Sequence, residues 1–240
     1  MPFTTPQPNP AGAAPAPRIA VIDYEFGNVR SVVNALETIG AEASLTRDHD
    51  ALRAADGLIL PGVGAFGDGM ANLQKLHLLD ILHELALVKK KPLLGICVGM
   101  QLMARKGYEY GEFDGLGWID AEVIRLQPDD PALKIPHVGW NDVTALALPG
   151  GNALFGEPGA VHSYYFVHSY WVRCASPAVV AGACEYGLIF PAALQQDNLY
   201  AVQFHPEKSQ KHGLALLRRF GEIAVAHAGR TATPQPVRLS

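Results

Sequence analysis

The chain has few of the features that mark extracellular, membrane-spanning or nucleic-acid-binding proteins. Its three cysteines, Cys97, Cys174 and Cys184, show no C-x-x-C spacing, so neither a zinc site nor a disulfide framework is expected. The odd, sparse count fits a reducing cytoplasm. No apolar run approaches the roughly 20 residues that span a bilayer, so no membrane association is expected. Basic residues number 19 against 23 acidic ones, a formal charge of −4, and no basic stripe points to nucleic acid. Neither repeats nor a linker-like stretch divide the chain, which predicts one large domain. Its 49% hydrophobic and 18% charged residues are enough for a sizeable core. The two ends stand apart. Residues 1–17 hold six prolines without a basic n-region or an apolar h-region; they read as a disordered tail, not a signal peptide or anchor. Residues 229–240 read as a loose C-terminal tail, which leaves 18–228 as the domain.

Within 18–228 the first half alternates strands and helices. Short apolar runs at 18–23, 42–46, 57–60 and 92–96 read as strands. The segment after Asn28 carries Val29, Val32, Val33, Leu36 and Ile39 on one helical face, with Asn28 as its cap and Gly40 as its stop. Residues 48–55 predict at most a short helix, 67–90 one long helix and 98–105 another. Strands alternating with helices imply a mainly parallel open α/β sheet flanked by helices. The second half differs: β-like runs at 121–126, 161–172, 178–184, 192–196 and 200–204 are broken by proline, glycine and aspartate. They predict antiparallel hairpins, either extending the sheet or packed beside it. A closing helix is expected over 208–228.

Chemistry concentrates at Lys-Pro-Leu-Leu-Gly-Ile-Cys-Val-Gly-Met-Gln, residues 91–101. Cys97 falls at the corner between a buried strand and a helix, the pattern of a nucleophile elbow, with Gly95 and Gly99 letting neighbouring backbone pass close by. Alone, such a thiol is as well explained by a buried structural cysteine. Ala-Val-Gln-Phe-His-Pro-Glu, residues 201–207, tilts the balance, because His205 and Glu207 leave an extended segment on the same side. A thiol, a base and an orienting acid form a nucleophilic triad. Gly62, Val63 and Gly64, after the third strand, can contribute a backbone N–H; with the N–H of Val98 that makes two donors for an oxyanion, although a plain turn is the bland reading. Gln101, one turn after Cys97, is either a substrate contact or a helix surface residue. His49, His77, His83, His212 and His227 read as solvated, and His168 as pocket wall or core. His-Val-Gly-Trp-Asn puts His137 and Trp140 either in the core or at a partner surface.

Gly-Ile-Cys-Val-Gly-Met-Gln together with Phe-His-Pro-Glu-Lys-Ser resembles the class I, triad-type glutamine amidotransferases, a flavodoxin-like fold. Pro-Gly-Val-Gly-Ala-Phe-Gly-Asp, His-Val-Gly-Trp-Asn and Phe-Val-His-Ser-Tyr narrow the likeness to the glutaminase subunits of imidazole glycerol phosphate synthases, over residues 18–228. The resemblance implies Cys97 as nucleophile, His205 as acid and base and Glu207 as orienter. It implies oxyanion contacts at Gly62, Val63, Gly64 and Val98, and glutamine contacts at Gln101, Ser169 and Tyr170. Asn28, Trp140 and Lys208 are expected to face a (β/α)8 cyclase subunit of the HisF type in a heterodimer. L-glutamine is the implied substrate, with no metal and no cofactor. The family commonly has a glycine after Asp-Tyr in the first loop; this chain has Glu25 and Phe26, and keeps Asn28. The alternatives are a glutaminase subunit for anthranilate or pyridoxal phosphate synthesis, a cysteine peptidase on a similar elbow, and a catalytically silent binding subunit.

Overall fold

The computed structural model describes residues 16–231, so most of the expected tails 1–17 and 229–240, namely residues 1–15 and 232–240, lies outside the described residues. In chain order the elements are β1 (Arg18–Ile22), α1 (Val29–Thr38), β2 (Glu42–Thr46), α2 (His49–Ala54), β3 (Gly57–Leu60), α3 (Phe66–Lys75) and α4 (Leu79–His83), which runs on into a π-helical turn (Glu84–Val88). Then come β4 (Leu93–Ile96), α5 (Val98–Leu102), β5 (Lys106–Gly107), β6 (Phe113–Asp114), β7 (Ala121–Arg125), β8 (His137–Ala145) and β9 (Val161–His168). The chain closes with β10 (Tyr170–Cys174), β11 (Val180–Glu185), β12 (Ile189–Gln196), β13 (Leu199–Val202) and α6 (Gln210–Thr231).

One sheet of nine strands runs β2-β1-β3-β4-β13-β12-β11-β8-β9. Its first five strands are parallel and the rest antiparallel. A second sheet, β10-β7-β5-β6, has four strands. The second-half strands thus do both things left open by their sequence, extending the main sheet and building another. β3, β4 and β13 are buried along their whole length, as strands covered on both faces must be. Helix α1 turns Val32, Val33, Ala35 and Leu36 inward. From α6, Phe220 and Ala224 press on Gly57, where a Cβ would come within 2.9 Å of the Ala224 methyl. The register Leu60↔Gly95 and Ala201↔Gly95 brings the carboxyl ends of β3, β4 and β13 level, so the three segments that follow them emerge together, where open α/β sheets build their sites. No helix among the described residues is long and apolar enough to cross a membrane.

Several boundaries depart from expectation. Pro17 belongs to the domain, because its carbonyl accepts the Glu42 N–H at 2.9 Å, and residues 229–231 continue α6. Asn28 occupies the N-cap of α1, yet its side chain makes no capping hydrogen bond. The continuous β-like run 161–172 divides at Ser169, where the chain leaves one sheet for the other. The long strand β8 was legible only as a motif.

The single helix expected over 67–90 is broken. Leu78 N–H donates to Leu73 O at 3.0 Å and His77 N–H to Gln74 O at 3.1 Å, the paired bonds of a Schellman turn, with buried Leu73 and Leu78 as its apolar contact. His77, at φ 55°, stands where glycine usually does. A left-handed conformation costs a non-glycine residue about 1–2 kcal/mol, and glycine's freer unfolded chain returns about 0.4–1 kcal/mol of that. His77→Gly is therefore expected to stabilise the protein by roughly 0.5–1 kcal/mol, read as a higher urea midpoint; an unchanged or lower midpoint contradicts the assignment.

Candidate active site

Cys97 is held by crowding. Its backbone sits at φ 53°, ψ −109°, a strained conformation of a kind that clusters at functional sites and costs on the order of 1–3 kcal/mol. The strain is imposed from both sides. A Cβ on Gly99 would fall 1.8 Å from Leu60 O, and one on Gly95 would fall 2.7 Å from Gly99 O, so only glycine lets α5 start this close to β3 and β4. Cys97 N–H donates to Val202 O at 2.8 Å, fixing the elbow to β13. The thiol is 3% exposed. Gln203 Nε2 approaches the sulfur at 3.7 Å, and Val167 O lies 4.0 Å away.

His205 and Glu207 follow β13. Their pairing, Nδ1 to Oε1 at 2.8 Å, is buried, with side chains 2% and 1% exposed. His205 N–H donates to Tyr165 O at 2.9 Å. Ser209 Oγ accepts the Tyr165 N–H and donates to His205 O, which pins the whole turn to β9. His205 Nε2 and Glu207 Oε2 are buried without a hydrogen bond of ordinary geometry among the described residues. Burial disfavours the imidazolium, but the Cys97 sulfur and the Glu207 carboxylate outweigh it and push His205 up to about 10.

The 61–64 loop presents a carbonyl to the start of α5. Val98 N–H, expected as one of two converging donors, instead donates to Gly62 O at 3.4 Å. The Gly62 carbonyl thus occupies the donor. Gly62 has no room for a side chain, since a Cβ would meet Tyr24 Oη and Val98 Cβ at 2.8 Å each.

A cavity of about 420 Å3 opens in front of Cys97, lined by Val63, Gly64, Val98, Gln101, Ser169 and Tyr170 among others, so the expected substrate contacts share one wall. Gln101 is 3% exposed, not a helix surface residue, and both its N–H groups are committed, to Tyr170 O and to Gln203 Oε1. Only its amide oxygen remains to offer. A slightly larger cavity of about 480 Å3 lies between Arg18, Arg53, Asp56 and Lys91. It sits at the opposite ends of the parallel strands, and its arginines are already paired with Asp56 and Glu84. The cavity at Cys97 is therefore the better candidate for chemistry.

The likeness to known proteins agrees with this geometry. The family model "Glutamine amidotransferase class-I" matches residues 20–223. The chain belongs to the class-I glutamine amidotransferases. It is 46% identical over 205 residues to "Imidazole glycerol phosphate synthase subunit HisH 1" of Campylobacter jejuni, covering 85% of this chain and all of that one. It is 48% identical over 213 residues to the HisH subunit of Moorella thermoacetica, covering 88% and 97%. A solved structure of a glutamine amidotransferase shares the fold, with TM-score 0.66, 23% identity and coverage of 85% and 98%.

In this amidotransferase, His137 and His168 are core residues. His137 Nδ1 lies 3.0 Å from His168 Nε2 and the ring stacks on Tyr186 and Phe166, while burial lowers His137 to about 4 and His168 to about 3, keeping both neutral. Their neighbour Trp140 is 48% exposed and meets Tyr165 edge-on, and Lys208 Nζ lies 5.8 Å over the same Tyr165 ring. Asn28 is exposed on the loop after β1. His83, His212 and His227, expected to be solvated, are half-buried; His83 Nδ1 lies 2.8 Å from Leu79 O and His212 stacks on His162.

Two residues escaped sequence reasoning. Gln203 bridges Gln101 and Cys97, and its signal was present, because it precedes His205 by the same two residues that separate His205 from Glu207. Glu109 lines the cavity and accepts the Phe66 N–H at 2.9 Å; burial raises its pKa. It belongs to no local motif.

Because His205 binds its proton more tightly folded than unfolded, its contribution to stability is fully present below about pH 6.5 and is lost as pH rises through about 10. The stability difference between the unaltered protein and Glu207→Gln is expected to shrink over that window in urea titrations. A difference independent of pH from 6.5 to 10 contradicts the pairing.

Proposed function

We propose that this chain is the glutaminase subunit of an imidazole glycerol phosphate synthase in histidine biosynthesis, and that Cys97, His205 and Glu207 form its catalytic triad. The assignment to this branch is supported by the HisH relatives. The observation that carries the residue roles is the buried His205–Glu207 pair beside a strained, crowded Cys97. L-glutamine lies in the cavity, its side-chain amide at Cys97. Glu109 pairs with the α-ammonium, and Gln101, Ser169 and Tyr170 meet the remaining polar groups.

The steps follow from the parts. His205, pushed up to about 10, already holds the Cys97 proton, and the thiolate adds to the amide carbon. The tetrahedral intermediate collapses as the imidazolium protonates the departing nitrogen, which breaks the C–N bond and leaves a thioester and ammonia. Neutral His205 then takes a proton from water, whose oxygen attacks the thioester. Glutamate leaves and the thiolate is restored. Glu207 holds the imidazole tautomer and stabilises its charge. Ammonia protonated in bulk water is no nucleophile, so the site is best joined to a second one. The proposed acceptor is a (β/α)8 cyclase docked over Trp140, Lys208 and Asn28, in a cytoplasm where three free thiols persist.

The 61–64 loop supplies control. With the Gly62 carbonyl on the Val98 N–H, the oxyanion site lacks its donors. Turning the 62–63 peptide by about 180° as one planar unit brings the Val63 N–H inward and releases that of Val98. One missing oxyanion donor costs on the order of a hundredfold or more in rate. The isolated chain is therefore expected to hydrolyse glutamine very slowly, and ligand-bound cyclase to raise the rate by about a hundredfold or more; full activity of the lone chain in a glutamate-release assay rejects this reading of the loop. Cys97→Ala is expected to abolish glutamine-dependent turnover while its complex still forms imidazole glycerol phosphate from ammonium salts at high pH. Retained glutamine hydrolysis removes Cys97 as nucleophile.

A further inference from the structure

We propose that Phe26 is a positioning residue that holds the 61–64 loop with its carbonyl inward and so restrains the glutaminase. The proposal rests on the reading of that loop given above and concerns what keeps it in place.

Residues 23–28, between β1 and α1, lie across the loop. Gly27, at φ +110°, rests over Gly62, such that a Cβ on Gly27 would be 3.4 Å from Gly62 Cα and 3.5 Å from its nitrogen. The Phe26 ring rests on Gly64, where a Cβ would fall 2.7 Å from Cζ and 3.0 Å from Cε2. At the other end, the buried Tyr24 hydroxyl donates to Pro61 O. The loop is thus met at Gly62 and Gly64 and anchored at Pro61, while Val63 between them is exposed.

Turning a peptide between two Cα atoms changes ψ of the residue before it and φ of the residue after it, and the residual misfit passes to the next residue. Here that residue is Gly64, already at φ +122° and without a side chain, so its backbone is well suited to absorb the change. The Phe26 ring lies against it, so a change in the Gly64 backbone has to be accommodated by the ring.

The ring is itself held. The Glu25 carboxylate pairs with Arg47 Nη1 at 2.9 Å and Lys75 Nζ at 3.4 Å, and Asn72 Nδ2 donates to Glu25 O at 3.5 Å. Exposed pairs of this kind contribute little stability each; together they tie the loop to α3 and to the residue after β2, and so fix where the ring lies. Tyr24 supports it from behind, with centroids 5.5 Å apart. Glu25 and Asn28 are exposed on this same loop, so a partner that docks there can displace the ring and free the peptide.

The test uses the full chain, alone and with the ligand-bound cyclase, as the unaltered protein, Phe26→Ala and Phe26→Leu. Truncating the ring is expected to raise kcat for glutamine hydrolysis by the lone chain about fivefold, with KM unchanged, because a larger fraction of molecules reaches the donor-inward state. The stimulated rate stays the same, so the stimulation ratio falls by a matching factor, and Phe26→Leu shows a smaller shift in the same direction. A gain in rate cannot come from unfolding, and if Phe26→Ala fails to fold, Phe26→Leu decides. Basal rates within about twofold of the unaltered chain, or below it, overturn the proposal. The unaltered chain separates the two levels of the argument: if it alone already runs at its complexed rate, the loop reading falls with it; if it is silent and stimulated while both variants match it, only Phe26 is ruled out.

Discussion

The site depends on a place where three backbones meet with no room for a side chain. Gly99 lies so close to Leu60 O that a Cβ would overlap it at 1.8 Å, and Gly62 is enclosed by Tyr24, Val98 and the Gly99 nitrogen. That contact requires β3 and β4 to be adjacent, parallel and level, which the alternating strands and helices of the first half supply. It forces α5 to begin abruptly after β4 and leaves Cys97 at positive φ. Relaxing the crowding at Gly62, Gly95 or Gly99 would move the sulfur, the Val98 N–H and the 61–64 loop together. The elbow and the loop are one mechanical object.

A second constraint is the cost of burying polar groups. His205, Glu207, Gln101 and Gln203 are all enclosed, and nearly every polar atom among them is used within the group or on neighbouring backbone. Apart from the Gln101 amide oxygen at the cavity, the exceptions are His205 Nε2 and Glu207 Oε2. Buried atoms without partners are rare because each costs on the order of 1–3 kcal/mol. Here the unsatisfied imidazole nitrogen belongs to the proposed base, and the proton transfer proposed for it needs that nitrogen open. Stability is given up where the chemistry requires it.

Legibility in the sequence follows the same division. Strands covered on both faces announce themselves as continuous apolar runs, and β1, β3 and β4 fall where those runs lie. The elbow and the His205–Glu207 spacing were readable because turn geometry and a period of two leave local marks. What escaped was set by tertiary contact. The break at His77 uses a histidine in a conformation that glycine normally marks, so no letter signals it. β8 alternates His137, Gly139 and Asn141 with exposed Val138 and Trp140, a pattern too polar to count as a strand until β9 and β11 are placed beside it. Ser169 separates two sheets within an unbroken run of strand-forming residues. Glu109 reaches the cavity only because the chain folds back, and the direction of the Gly62 carbonyl is invisible because glycine prefers none.

The surface proposed for the partner and the proposed base are joined by one residue. Tyr165 carries Trp140 and Lys208 on its ring at the exterior, while its backbone carbonyl holds the His205 N–H and its backbone N–H is held by Ser209. A load on that ring therefore reaches the His205 backbone through a single peptide rather than through a long chain of side chains. The loop after β1 offers a second short path, from exposed Glu25 and Asn28 to Gly62 and Gly64 through Gly27 and Phe26. One path ends on the proposed base and the other on the proposed oxyanion donors. A partner spanning both surfaces would set proton transfer and charge stabilisation in the same act, and a partner touching only one would leave the other half of the machinery unassembled. Coupling of this kind needs no conformational relay across the core, which is close-packed and shifts little. It needs only that the two loops flanking Cys97 be the parts of the molecule that reach the surface, and the level carboxyl ends of the parallel strands place them there.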